Sequence, residues 1–232
     1  MKRTIGIIMV SVLCFGVLLN AGGCIHIKDP DVGQTAADGT IPVSGEDGAV
    51  FDNMSYWVRT EDKKVNIMPA AIGGTEPYLC SVSFKRTTNN KWHNLTKDYE
   101  KKTSVYLDAQ EGTDYQSIVT VRDSEGRECG KILEIPGDAE PVVNNSELAS
   151  SSIKAGKSIN VTAKGKGGRE PYTYCYYYKR AGGKVWNSFG EEYTAETSAS
   201  FRPREKDSYS VKVVIIDSDN QGSEKILEAE VK

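Results

Sequence analysis

The loop at residues 217–222 holds the closest grouping of side chains that could bind a metal. Asp217, Asp219 and Asn220 supply three side-chain oxygens in a short span, and calcium prefers carboxylate and amide oxygens. The loop lacks the later bidentate glutamate of an EF-hand. Hairpin turns are also rich in Asp, Asn and Gly, because these residues tolerate tight-turn backbone conformations. Two interpretations stay open, a calcium site and an ordinary turn.

The N-terminus predicts export and a lipid anchor. An apolar stretch at residues 5–19 is shorter than a membrane-spanning helix and suits a signal peptide. Small residues then lead to Cys24 in a segment that resembles a bacterial lipobox, whose cysteine becomes the acylated first residue. Because Ala21 stands where a lipobox usually has Leu, ordinary signal-peptidase cleavage is the alternative. We therefore predict a signal peptide at residues 1–23 and a membrane anchor at Cys24, on the outer face of the cell membrane or cell surface, with secretion otherwise.

The remaining cysteines allow a disulfide. Cys80 is predicted to face the inside of its strand, and Cys129 lies just before the last strand of the same repeat. In an exported protein these two could be bonded. The alternative is three separate thiols, with Cys80 buried as a small apolar group and Cys175 on the outer face of its strand.

Catalytic signals are weak. The only histidines are His26 and His93, and a Cys80/His93 pair is disfavoured because Cys80 points inward while His93 belongs to the next strand. Gly-x-Ser-x-Gly, Cys-x-x-Cys, His-Glu-x-x-His and phosphate-loop motifs are missing. The sequence predicts a protein that is not an enzyme and has no cofactor.

One hexapeptide pattern, Gly-Gly-x-Glu-Pro-Tyr, occurs at residues 73–78 and again 94 residues later at 167–172. An aromatic run follows each copy, and the two segments align without a gap from Lys63 to Glu134 of the first. A period of this length is a whole domain. The pattern predicts a duplicated module, in which glycine permits positive φ and proline fixes the entry into the next strand.

Each repeat is predicted to form about seven short strands, because apolar residues alternate with polar ones between turn-forming segments. Residues 78, 80, 82 and 84 share one face of the central strand, as do residues 172, 174, 176 and 178 in the second repeat. We predict an all-β chain with two tandem immunoglobulin-like Greek-key β-sandwiches, at residues 49–136 and 141–232. Residues 24–48 are predicted to be a flexible tether, since they contain few apolar side chains.

The repeats resemble bacterial immunoglobulin-like and PKD-like surface domains. In the first repeat the matching residues are Gly74, Pro77, Tyr78, Tyr115, Val119, Val121, Asp123 and Gly126. In the second they are Gly168, Pro171, Tyr172, Tyr174, Tyr209, Val211, Val213, Asp217 and Gly222. The resemblance implies a sandwich scaffold used as a spacer, adhesive unit or binding platform. The PKD-type Trp-x-Phe-Gly-Asp-Gly motif is missing from both copies.

Several aromatic side chains are candidates for ligand contact. Tyr177 is predicted to face outward, where the first repeat has Ser83, so it is either a contact point or a surface aromatic without a role. Trp92 and Trp186 occupy matched positions, which favours packing over sugar binding. Tyr115 and Tyr209 resemble the tyrosine corner of immunoglobulin-like sandwiches.

Charge and motifs together leave two functional hypotheses. The formal net charge is −3 and no basic stripe is present, so nucleic acid is not an expected partner. The first hypothesis is a lipid-anchored, non-enzymatic surface protein whose modules act as an interaction, adhesion or spacer unit toward an unknown protein or glycan. The second is a carbohydrate- or peptide-binding module of an uptake or degradation system. Four Asn-x-Ser/Thr sequons would matter only where N-glycosylation operates.

Overall fold

The computed structural model describes residues 51–60 and 64–232. The predicted signal peptide, the predicted lipid attachment at Cys24 and the predicted tether lie outside these residues. The described chain is built of strands and turns, which confirms the predicted all-β class. It contains no helix long and apolar enough to cross a membrane.

The first repeat forms two facing antiparallel sheets and a separate two-stranded antiparallel pair. Its strands are β1 (Asp52–Asn53), β2 (Tyr56–Arg59), β3 (Val65–Met68), β4 (Ala71–Ile72), β5 (Leu79–Arg86), β6 (His93–Asn94), β7 (Val105–Leu107), β8 (Tyr115–Arg122) and β9 (Glu128–Ile135). One sheet has the order β2-β3-β7 and the other β6-β5-β8-β9, and the separate pair is β1 with β4. The chain passes to the first sheet for β7 before β8 pairs with β5, which is a Greek-key connection. Trp57 and Ile67 from one sheet face Val82 and Val119 from the other, and all four are fully buried.

The second repeat follows the same plan with a larger sheet. Its strands are β10 (Val143–Asn144), β11 (Glu147–Leu148), β12 (Ser152–Ile153), β13 (Ile159–Thr162), β14 (Gly165–Lys166), β15 (Thr173–Arg180), β16 (Asn187–Ser188), β17 (Ser198–Phe201), β18 (Ser208–Ile216) and β19 (Gly222–Val231). The sheets have the orders β11-β13-β17 and β12-β19-β18-β15-β16. Ile159 and Val161 pack against Tyr176, Val211 and Val213 in a separate core.

The predicted alternation of the central strands is confirmed. In β5, Cys80 and Val82 are buried in the first core, and in β15 Tyr174 and Tyr176 are buried in the second. The last strand of the first repeat begins at Glu128, and its polar first residues continue the antiparallel pairing with β8 as far as Arg122.

Both predicted tyrosine corners are present. The hydroxyl of Tyr115 accepts the backbone N–H of Gln110 at 3.0 Å. The hydroxyl of Tyr209 donates to the carbonyl of Glu205 at 3.0 Å. Each tie fixes the loop that crosses from one sheet to the other, as expected for an immunoglobulin-like sandwich.

Candidate functional site

In both repeats the duplicated glycine turn is held by an aspartate from a distant hairpin. Asp123 Oδ2 accepts the backbone N–H of Thr75 at 3.1 Å, and Asp217 Oδ2 accepts that of Arg169 at 3.0 Å. Thr75 and Arg169 are the variable residues of the repeated hexapeptide. The other carboxylate oxygen of Asp123 accepts two N–H groups of its own hairpin, from Glu125 and Arg127. We call this arrangement the aspartate clamp; it joins two motifs that are 48 residues apart in sequence in both repeats.

The second glycine of each hexapeptide makes room for this clamp. Gly74 has φ +69°, and a Cβ atom there would lie 3.1 Å from Asp123 Oδ2 and 2.6 Å from the Phe51 ring. At Gly168, with φ +61°, a Cβ atom would lie 2.6 Å from Asp217 Oδ2. Any other residue would therefore meet both backbone strain and a steric clash.

The two clamps differ in charge. In the first, the guanidinium of Arg127 lies 2.8 Å from Asp123. Burial opposes ionisation of Asp123, but hydrogen bonds from Arg127 and Thr75 outweigh it and hold its pKa below the usual value. In the second, Gln221 replaces the arginine. Burial there outweighs the backbone hydrogen bonds and raises the pKa of Asp217 above its usual value.

The predicted calcium ligands serve other contacts. Asp217 Oδ1 accepts the N–H groups of Asp219 and Gln221 at 2.9 and 2.8 Å. The Asp219 carboxylate lies 3.2 Å from the guanidinium of Arg169, and Asn220 adopts the left-handed conformation of a tight turn with φ 60°. Within residues 51–60 and 64–232, no group of three His, Cys, Asp or Glu side chains could hold a metal ion. The geometry supports the turn interpretation.

A second repeated feature, which sequence comparison missed, is an asparagine at the start of each repeat. The Asn53 amide donates to the carbonyls of Val119 and Cys129, both at 2.8 Å. The Asn144 amide donates to those of Val213 and Ser223 at 3.0 and 3.1 Å. We call each an asparagine clasp, since one side chain joins β8 to β9 or β18 to β19.

Each asparagine clasp is the first residue of an Asn-x-Ser sequon. The serine backbone N–H donates to the same asparagine in both copies, and the serine hydroxyl accepts an N–H from Ala70 or Lys164. Asn53 and Asn144 are 91 residues apart, whereas their partners are 94 apart. The gapless alignment therefore excluded them, and the repeated Asn-x-Ser triplet was the signal that could have identified them.

The predicted Cys80–Cys129 disulfide is wrong. Cys80 and Cys175 are free thiols. Cys80 pairs across β5 and β8 with Val121, and Val121 pairs across β8 and β9 with Cys129. The two cysteines therefore lie two strand spacings apart, about 10 Å. A disulfide needs Cα atoms within about 7 Å.

The two repeats contact each other through the hairpin at residues 217–222, where the sequence suggested a calcium site. The backbone N–H of Trp57 in β2 donates to the carbonyl of Asn220 at 2.9 Å, and Trp57 forms a parallel bridge with Gln221. Beside this bridge, the Tyr56 hydroxyl donates to Glu224 at 2.8 Å. Gly222 accommodates the Tyr56 ring, which would lie 2.4 Å from an added Cβ atom.

Apolar side chains from both repeats form one buried cluster at this contact, which we call the junction cluster. Its members are Tyr56, Val58 and Met68 from the first repeat and Cys175, Tyr177, Tyr193, Val214 and Ile216 from the second. The outer face of the second repeat's large sheet is therefore covered here. Burial raises the pKa of Cys175 to about 11, as expected for a thiol removed from water.

The expected exposure of Tyr177 is wrong for this reason. The side chain does alternate onto the outer face, but it is half-buried in the junction cluster, with Lys212 Nζ 5.1 Å from its ring centre. Burial raises the pKa of its hydroxyl well above the usual value. A ligand contact at Tyr177 stays a prediction.

Replacing Tyr56 with alanine should expose Cys175 to solvent while leaving Cys80 protected. We expect native-state alkylation of Cys175 to accelerate by at least about tenfold, because local opening then costs less. Cys80 is the internal control, since it is a buried free thiol in the core of the first repeat. Peptide mass spectrometry after timed alkylation gives both rates. Equal acceleration at both cysteines, or none at Cys175, would contradict a junction closed by Tyr56.

The paired tryptophans lie half-buried under lysines rather than in either core. Lys85 Nζ is 5.0 Å from the ring centre of Trp92, and Lys179 Nζ is 4.7 Å from that of Trp186. All four positions match between repeats, so each lysine–tryptophan contact is part of the duplicated scaffold. Such contacts contribute about 0.5–1 kcal/mol at exposed sites.

A small cavity of about 180 Å³ lies at the junction between Trp57 and the second repeat's clamp. Trp57 Nε1 and Gln221 Nε2 are buried donors in its wall without a hydrogen-bond partner among the described residues. Polar cavities with such donors hold ordered water in proteins.

A larger groove lies at the other end of the second repeat, between the β15–β16 hairpin and the segment after β17. It has a volume of about 620 Å³. Tyr178 and Phe201 stack in its floor with ring centres 4.2 Å apart and planes 17° from parallel. Val185, 72% exposed, stands on one side. The floor therefore presents aromatic surface at the open end of the second core.

The first repeat has a smaller groove at the equivalent position, with a volume of about 240 Å³. It is lined by Phe84, Arg86, Asn89 and His93, which match four lining residues of the larger groove, Tyr178, Arg180, Gly183 and Asn187. Both repeats therefore have a groove at the same position in the duplicated fold. Its size and remaining walls differ between the copies.

The groove wall formed by the segment after β17 is positively charged, unlike the matching segment of the first repeat. Arg202 and Arg204 stand where the first repeat has Asp108 and Gln110. Lys184 adds a third exposed cation on the opposite side. Arg180 is paired with both Glu205 and Asp207, so these three side chains together carry one net negative charge. Lys184, Arg202 and Arg204 have no ion pair within the described part of the chain. The groove of the second repeat is therefore aromatic at its floor and positive at its rim.

No family model and no curated protein matches this chain. Among solved structures it is similar to the FN1–FN3 domains of chicken CNTN1, at 15% identity and a TM-score of 0.29, over 72% of this chain and 62% of that chain. It is also similar to the fibronectin(III)-like modules of Clostridium thermocellum CbhA, at 12% identity and a TM-score of 0.32, over 73% of this chain and 85% of that chain. Both are fibronectin type III-like domains, which are immunoglobulin-type β-sandwiches.

Proposed function

We propose that this chain is a non-enzymatic surface protein of the cell envelope, attached through a lipid on Cys24, whose two modules act together as an interaction or spacer unit. The observation that carries the proposal is the junction cluster. It buries apolar side chains of both modules, and the backbone bridge from Trp57 to Gln221 adjoins it. Two modules joined in this way present their surfaces in a fixed relation.

The distribution of repeated residues supports a scaffold role. The aspartate clamps, asparagine clasps and tyrosine corners all have hydrogen-bond partners within the fold. The nucleophile candidate Cys80 directs its sulfur to the carbonyls of Glu100 and Lys102, at 3.5 and 3.6 Å, and His93 packs beside Phe84 instead. These side chains hold the sandwich together, which suits a module that binds or spaces rather than catalyses.

A carbohydrate- or peptide-binding module of an uptake or degradation system is the second candidate. The groove beside Tyr178 favours it, because aromatic surface and uncompensated charge are combined in one concave region. The two candidates share a binding role and differ in what the bound partner is used for.

The lipid anchor is tested by replacing Cys24 with alanine and, separately, by blocking the lipoprotein signal peptidase with globomycin. We expect the wild-type chain to fractionate with membranes and its N-terminal peptide to carry the mass of a lipid. Either treatment should abolish processing at Cys24. Unchanged processing and membrane attachment in the alanine variant would refute the anchoring part of the proposal.

A further inference from the structure

We infer that the groove of the second repeat binds an acidic oligosaccharide, a sugar chain that carries carboxylate or sulfate groups. The inference rests on the proposed binding role and names the class of partner. It is carried by the stacked rings in the floor, by three unpaired cations on the rim, and by the difference between the two equivalent grooves.

The floor suits a sugar ring. The stacked pair of Tyr178 and Phe201 offers an apolar aromatic surface to the C–H face of a pyranose. Both rings are half-buried and pack on the core below, with Phe201 also 4.8 Å from Phe189 between ring centres. The surface is therefore preorganised, which reduces the entropy lost on binding. In the first repeat Leu107 stands in place of Phe201, so the equivalent stack does not form.

The rim selects negative charge. Arg202 and Arg204 are exposed on one wall and Lys184 on the other. Guanidinium groups bind carboxylate and sulfate oxygens with paired N–H donors, so they contribute both affinity and orientation. Because these three cations have no ion pair within the described chain, a ligand would not have to displace an existing partner. The groove of about 620 Å³ falls within the size range of ligand sites, about 300–1,000 Å³.

The backbone around the groove favours a sugar over an added peptide strand. A peptide that extends a sheet needs a run of free N–H and C=O groups along an edge strand. The β16 edge is two residues long, β17 ends at Phe201, and Pro203 in the wall has no N–H to offer. Recognition must therefore come from side chains, which here are rings and cations.

The test is calorimetric titration of the purified exported protein with an acidic hexasaccharide of galacturonic acid, a neutral maltohexaose and a hexaglutamate peptide. We expect the acidic hexasaccharide to bind at least about tenfold more tightly than the neutral one. Its affinity should fall as salt is raised, since the rim charges are exposed. Absent binding of the acidic sugar at millimolar concentration, or equal affinity for the neutral sugar, overturns the inference. Equal or tighter binding of hexaglutamate overturns it in favour of an acidic peptide.

Substitutions that import the first repeat's residues locate the site. Arg202→Asp with Arg204→Gln should weaken binding of the acidic hexasaccharide by at least about tenfold, and Phe201→Leu should weaken it separately. The matched control, Lys97→Ala with Lys101→Ala, removes two exposed cations from the first repeat and should change affinity by less than about twofold. Wild-type affinity in the Arg202/Arg204 variant overturns the inference. Because binding is measured on purified protein, its failure is distinct from failure of the Cys24 anchor.

Discussion

Replacing Asn53 or Asn144 with alanine should lower the free energy of unfolding by about 2 kcal/mol, because each substitution removes two hydrogen bonds from the side-chain amide to strand carbonyls. At Asn53 these carbonyls belong to Val119 and Cys129, and the side chain itself is 4% exposed. Water cannot easily replace the lost amide at that depth. Urea denaturation followed by fluorescence or circular dichroism measures the change.

The other two sequon asparagines are matched controls. Asn94 and Asn160 are exposed, and their side-chain contacts are also exposed. Alanine at either position should change stability by no more than about 0.5 kcal/mol. The four substitutions have the same chemistry and differ in the burial and the hydrogen bonds of the asparagine that is removed. Costs below about 1 kcal/mol at both Asn53 and Asn144 would mean that the asparagine clasps do not hold the strands.

Strand patterns were predictable from sequence because period-two alternation depends only on neighbouring residues. Cys80 and Val82, or Tyr174 and Tyr176, face their cores wherever the rest of the chain lies. The disulfide was not predictable in the same way. Whether Cys80 can reach Cys129 depends on which strand lies between them, and that strand, β8, is known only once the sheet order is known.

The covered outer face did leave a signal in the sequence. In β18 the residues Val213 to Ile216 are apolar without interruption, and Val214 and Ile216 belong to the junction cluster. The matching outward positions of β8 are Thr120 and Arg122. A strand that is apolar on both faces is buried on both faces. That comparison would have predicted a covered sheet around Tyr177, although not which residues cover it.

The aromatic floor and positive rim of the groove could be predicted only in part. The exchange of Asp108 for Arg202 is visible in the aligned repeats. That Lys184, from the preceding hairpin, faces Arg202 across a concave surface depends on how the two sheets separate at their end. Charge differences between the aligned repeats identify candidate binding residues. Only the tertiary structure shows which of these residues line the same groove.

The two aspartate clamps should respond to asparagine substitution with different costs at neutral pH. We expect Asp123→Asn to lower the free energy of unfolding by about 2 kcal/mol, because it removes the carboxylate charge 2.8 Å from the half-buried Arg127 guanidinium and leaves that guanidinium with its longer 3.4 Å contact to Glu125. Asp217→Asn should cost about 1 kcal/mol, because Asp217 is held by backbone N–H groups and lacks an equivalent arginine. Urea denaturation at pH 7 measures both, and equal costs would contradict a charge role for Arg127.

The pH dependence of these costs should have opposite signs. The folded-state pKa of Asp123 is lowered, so its stabilisation is fully present above the unfolded value of about 3.9 and is lost as pH falls through the folded pKa. The cost of Asp123→Asn should therefore shrink in acid. The folded-state pKa of Asp217 is raised, so its contribution is fully present below about 3.9 and is lost as pH rises through the folded pKa.

The cost of Asp217→Asn should consequently grow as pH is lowered from 7 toward 4, while that of Asp123→Asn stays level over that interval and falls only below it. Denaturation curves at several pH values, analysed as differences from wild type, cancel the titration of all other groups. Parallel pH trends for the two variants would show that Gln221 in place of Arg127 does not change the electrostatics of the clamp. Opposite trends would establish that a single exchange between repeats converts one duplicated carboxylate from an ion-paired group into one held mainly by backbone hydrogen bonds.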